Sequence, residues 1–182
     1  MVESDDRRAE LKAKREQLYQ RQAEATARQQ RARDFEDFRR GIGSVLDEAG
    51  VAYQLLWPDD RSPAGPLATY PIGFASVHWP LVPEAVSVEG WHPDRGACVA
   101  EAFQALGVQP EATVVVDHCV GGTPRVQLAA RDFLVHAEDL IRYESWLYEL
   151  QGTWLVEVYH EGTISYAPRP GSPEVAGDRW RR

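Results

Sequence analysis

Phe35, Phe38, Ile42, Val45, Leu46 and Ala49 recur at steps of three and four residues. That period places them on one face of a helix, so residues 35–49 are expected to pack against a core, with Gly50 as the C-cap. Gly41 and Gly43 interrupt good helix formers and mark a bend. The preceding stretch, Asp5 to Asp34, has no Gly or Pro and is rich in Ala, Glu, Gln, Lys and Arg, so the same helix extends towards the N-terminus. Its apolar content is one narrow stripe, Leu11, Leu18, Ala25 and Ala32, spaced by seven. The accompanying heptad positions are cationic, Lys14, Arg21 and Arg28. A poor seam of this kind predicts a single solvated helix that projects from the domain rather than a self-sufficient coiled coil.

Beyond Gly50 the patterns are mixed. "YQLLW" is β-prone and stopped by Pro58, and "DDRSPAGPLA" is a Pro/Gly loop. "TYPIGFASVHW" and "EAVSVEGW" read as two strands, the second with Val86 and Val88 alternating with Ser87 and Glu89. "PDRGACVAEAFQALG" is a helix opened at Asp94 and closed by Gly107, with Ala97, Cys98, Ala102, Phe103 and Leu106 inward. The Val114–Val116 run predicts a strand buried on both faces, and "RVQLAA" a further strand. "RDFLVHAEDLIRYE" has a helical period through Phe133, Leu134, Ala137, Leu140 and Ile141. "SWLYEL", "TWLVEVYH" and "TISYAP", separated by "QG" and "EG", predict a three-stranded antiparallel meander.

Together these elements predict an α+β fold: a mixed or antiparallel sheet of about six to eight strands carrying two to three packed helices, mostly on one face. The expected organisation is a polar projecting helix over residues 1–34, an α+β domain over 35–168 and a loose Pro/Gly tail over 169–182.

Charge sharpens this picture. Residues 1–40 carry 11 Lys and Arg against 9 Asp and Glu, whereas residues 41–182 carry 9 Arg, no Lys and 19 Asp and Glu, a net charge of −10. An acidic body repels phosphate backbones and attracts cationic partners, so nucleic-acid binding by the globular part is not expected. No apolar run approaches the roughly 20 residues that span a bilayer, and the N-terminus lacks a leader-like apolar stretch. Two cysteines make no disulfide framework, and the expected location is cytoplasmic.

Candidate chemistry centres on "VVVDHCVGG". Cys119 is a thiol beside His118 and before two glycines, and its base would have to be another histidine, such as His136 or His160, brought in by folding. Adjacent strand residues face opposite ways, so His118 and Cys119 are not a direct pair. The simpler expectation is a strand end and turn with Cys119 structural. There is no metal-binding spacing of His and Cys, no phosphate loop and no nucleophile elbow, so no metal or cofactor is expected.

Six tryptophans and the acidic balance point instead to recognition. Trp57 followed by Asp59 and Asp60, and Trp154 bracketed by Glu149 and Glu157, are expected to present aromatic anchors in an acidic rim, with Glu149 and Glu157 facing each other across the hairpin. The expected function is a non-enzymatic module that binds a basic protein surface, with the general character of an immunity protein, adaptor or chaperone. A hydrolase or transferase centred on Cys119 is one alternative, and a component of a larger assembly joined through the N-terminal helix is another.

Overall fold

The computed structural model describes residues 2–57, 66–73, 76–89, 94–118, 123–141 and 144–169. The chain divides into two units, residues 1–37 and 38–182.

The first unit is helical. Helix α1 runs from Val2 to Phe38. Leu11, Leu18 and Tyr19 are each more than half exposed, as the thin stripe predicts. Phe35 was expected in the core but is 38% exposed, so the buried face begins at Phe38 and not before.

The second unit opens with a π-helical turn, Arg39–Gly43, which continues into helix α2, Ser44–Glu48. The wide turn falls on Gly41 and Gly43, where the sequence marks a bend. A Cβ on Gly43 would lie 3.3 Å from the Phe38 ring and 3.4 Å from the Tyr53 hydroxyl, so a side chain there would make the Phe38 ring give by a few tenths of an ångström.

Seven strands follow: β1 Tyr53–Leu56, β2 Val86–Glu89, β3 Thr113–Asp117, β4 Arg125–Ala129, β5 Ser145–Tyr148, β6 Trp154–Tyr159 and β7 Thr163–Pro168. They form one sheet in the order β1-β4-β3-β5-β6-β7-β2, with every pairing antiparallel. The meander β5–β6–β7 stands where the alternation predicts it, and the sheet is antiparallel throughout. Gly152 turns the first of its hairpins with φ of 54°.

Helix α3, Arg95–Leu106, is capped at Asp94, whose Oδ1 accepts the Ala97 N–H at 2.9 Å. Its inward residues are Val99, Ala102 and Phe103; Ala97, expected inward, is exposed. The "RDFLVHAEDL" pattern forms two short helices, α4 Ala130–Val135 and α5 Ala137–Leu140, broken at His136. Glu138 of α5 accepts the Arg95 N–H at 2.8 Å and so fastens α5 to the start of α3.

The sheet has two unlike faces. Helices α2 to α5 cover one, closing a core that includes Leu46, Val99, Phe103, Phe133, Val116 and Val156. Residues of the segment 67–82 cover the other, where Tyr70, Val77, Trp79 and Val82 pack on Val115, Tyr148, Leu155 and Ala167. Residues 69–79 of that segment were expected to be a strand. It contains one isolated bridge, Ile72 to Val77, and a 3-10 turn, Trp79–Leu81. Pro71 and Pro80 cannot donate to a ladder, and the polar ties described below hold the chain in an irregular path.

Candidate functional site

Strand β6 is buried from Trp154 to Val158. Alternation sends Trp154, Val156 and Val158 to the helical face and Leu155 and Glu157 to the other. Glu157 is therefore an acidic side chain committed to the interior, and it is 3% exposed. Its strand neighbours extend the polar chemistry sideways. Register aligns Ser87 with Ser165, Ser165 with Glu157, Glu157 with Trp146 and Trp146 with Asp117. Arg125 of β4 continues this row, its Nε 2.6 Å from Asp117 Oδ2. The N–H direction there falls outside hydrogen-bond alignment, so the contact is one of charge. One transverse line of polar groups thus crosses six strands on the face away from the helices.

Glu157 sits at the centre of that line. Its Oε1 accepts the Trp146 indole N–H at 2.6 Å and the Val77 N–H at 3.1 Å. Its Oε2 accepts the Ser76 hydroxyl at 2.9 Å and the Trp79 indole N–H. A carboxylate offers about four lone-pair sites, and all four are filled by neutral donors. Such a group neither abstracts a proton from a substrate nor meets a partner's lysine. It clamps residues 76–79 to the sheet.

The other candidate groups lie apart. His118 is buried and turns to the helical face, its Nδ1 3.5 Å from the Oγ of Ser145, which is itself wholly buried. Cys119 lies outside the described residues. His136 is half-buried at the α4–α5 break. His160 Nδ1 lies 2.6 Å from Glu144 Oε1 at the sheet's rim. Among the described residues no three His, Cys, Asp or Glu gather as a metal site, and no helix is long and apolar enough to cross a membrane.

Among the described residues, Trp154, Glu149 and Glu157 do not share one exposed rim. Trp154 is buried, its ring 5.2 Å from Phe103, on the face opposite Glu157. Glu149 is half-buried and accepts the Thr153 hydroxyl at 3.4 Å. The residue opposite Glu157 is Trp146, not Glu149, because the pairing register joins Tyr148 to Leu155. Trp57 is half-buried beyond β1, four strand spacings from β6, about 19 Å. Asp59 and Asp60 lie outside the described residues.

Sequence reasoning missed the donors Ser76, Trp79 and Trp146. One signal pointed to them. A single acid within "WLVEVY", a strand otherwise apolar on both faces, must find partners inside, and tryptophan N–H groups are natural ones.

The described surface of the second unit is acidic. Glu48, Glu84, Glu89, Glu101, Glu111, Glu138, Asp139 and Glu161 are all exposed. Three of its described arginines meet groups of the chain: Arg125 meets Asp117, Arg131 meets Glu111 and Asp132, and Arg95 donates to the Ile141 carbonyl.

No protein-family model and no curated protein matches the chain.

Proposed function

We propose that the acidic α+β body is a non-enzymatic binding module for a basic protein surface, comparable in charge and size to immunity proteins, adaptors and chaperones. The observation that carries this reading is the acidity of the body, 19 acidic residues against 9 arginines over residues 41–182, while among the described arginines Arg131 meets Glu111 and Asp132 and Arg95 meets the Ile141 carbonyl. A field of one sign steers a partner of the other.

The segment Leu81–Glu89 is the docking surface this reading favours. Strand β2 is an edge of the sheet, and Ser87, Val88 and Glu89 are exposed. Leu81 and Val88 are 64% and 45% exposed, and Glu84 and Glu89 accompany them. An edge strand offers backbone hydrogen bonds to an extended segment, and apolar side chains beside carboxylates suit a basic one. No lysine or proline within β2 blunts the edge.

Capture of partners from the native host, followed by binding kinetics at several salt concentrations, tests the proposal. Association is expected to slow when Glu84 and Glu89 are both reversed to lysine. It is also expected to fade as the Debye length falls from about 10 Å at 0.1 M to about 3 Å at 1 M salt. An acidic partner, or an association rate indifferent to salt and to the reversal, overturns it.

A further inference from the structure

The N-terminal helix carries a surface of the opposite chemistry, independent of the reading above. Residues 7–33 hold nine Lys and Arg and three Glu. They are not spread evenly around the helix. The i±3 and i±4 neighbours of Leu11 are Arg7, Arg8, Lys14 and Arg15, all cationic. Three of the four such neighbours of Leu18 are Lys14, Arg15 and Arg21. Leu11 and Leu18 are 59% and 56% exposed, and with Arg8, Lys14 and Arg15 they line one continuous shallow surface. Lys14 meets Glu10 at 2.7 Å, but both side chains are well exposed, and such a pair is easily exchanged for another.

We infer that this face of α1 docks an acidic helix of a partner protein whose own apolar residues follow the heptad spacing. Two leucines seven apart want an apolar seam. Cations on both sides of them want carboxylates at the positions flanking that seam. A second copy of α1 is a poor occupant, because the same seam would bring Lys14 and Arg21 of one helix against those of the other. Nucleic acid would use the cations but leaves the leucines without purpose. An anionic membrane would take both, yet two leucines and Tyr19 are a thin apolar face, and the acidic body tethered to the helix is repelled by the same surface.

The test uses the full chain and a synthetic four-heptad peptide with leucine at the seam and glutamate at the flanking positions, its lysine counterpart serving as control. The acidic peptide is expected to bind, to weaken with added salt, and to lose affinity by about tenfold or more for the Leu11→Gln, Leu18→Gln chain. Glutamine keeps charge and helix propensity, which circular dichroism verifies, and a Leu11→Ala, Leu18→Ala chain repeats the measurement with a second side chain. Equal binding by the substituted chains overturns the seam, because the attraction is then ionic alone. Equal binding of the lysine peptide, or tighter binding of duplex DNA or of vesicles containing anionic lipid, overturns the partner's chemistry. Salt-reversible dimers of the peptide-free chain that vanish on substitution show a second copy as the occupant and overturn it as well.

Discussion

In β6 the one acidic side chain, Glu157, receives two donors on each oxygen, and those donors come from Ser76, Val77, Trp79 and Trp146. An amide at this position keeps the shape but replaces one acceptor oxygen with a donor. Two of the four groups then face an N–H₂. Each stranded buried donor costs about 1–3 kcal/mol, so Glu157→Gln is expected to destabilise the body by about 3 kcal/mol in urea unfolding. Wild-type stability in that variant would mean the clamp contributes little. Glu84 makes the contrast. It is exposed and holds φ of 62°, where a side chain costs about 1–2 kcal/mol and glycine costs nothing sterically. Glu84→Gly therefore relieves strain while removing a charge from the proposed docking edge. The expected outcome is stability unchanged within about 1 kcal/mol and slower association with a basic partner. A variant that melts early and associates normally would assign Glu84 to the fold instead.

Elements whose period is uniform were legible. The heptad and helical steps gave α1, α2 and α3, the valine run gave β3, and alternation with glycine turns gave β5 to β7. The segment 70–79 was not legible, because its β-prone residues answer to tertiary ties: Glu157 takes the 76–79 backbone and side chains, and Tyr70 donates its hydroxyl to the Ala167 carbonyl at 3.1 Å. The direction of the side chains around the Trp154 hairpin was illegible for a related reason. Charge and aromaticity report what a residue is, but strand parity decides which way it points, and parity puts Trp154 and Glu157 on opposite buried faces. Tyr70 gives this covering segment a titratable marker. Burial raises its phenol well above the usual value of 10, with the Arg169 charge opposing the shift. The folded state therefore holds the proton more tightly than the unfolded chain. Its contribution is fully present below pH about 10 and is lost progressively as pH rises towards the folded value. Urea midpoints taken from pH 8 to 11 are expected to fall above pH about 10, and the fall should be shallower in Tyr70→Phe. An equal fall in both proteins would assign it to other groups.

Across the whole molecule, charge is divided by sign as well as by position. Residues 34–182 carry 22 acidic residues and 11 arginines, so removing residues 1–33 takes the formal net charge from −8 to −11. Leu11, Leu18 and Tyr19 are exposed in α1, and the core begins at Phe38, 7% exposed, with Ile42 and Leu46. Deletion of 1–33 is thus expected to leave the melting temperature of the body within a few degrees, whereas Phe38→Ala should cost about 3–5 kcal/mol. The same deletion bears on recognition. If the acidic body alone attracts a basic partner, the cationic helix opposes that attraction at long range. The truncated chain should then associate faster than the full chain at low salt, and the two rates should converge as screening shortens the range of the field. Dissociation rates should agree, because the contacts that hold the partner belong to the body. Stopped-flow association across a salt series decides the matter. Slower association on truncation would place part of the partner's contact on α1 and defeat the division of labour between a basic helix and an acidic body.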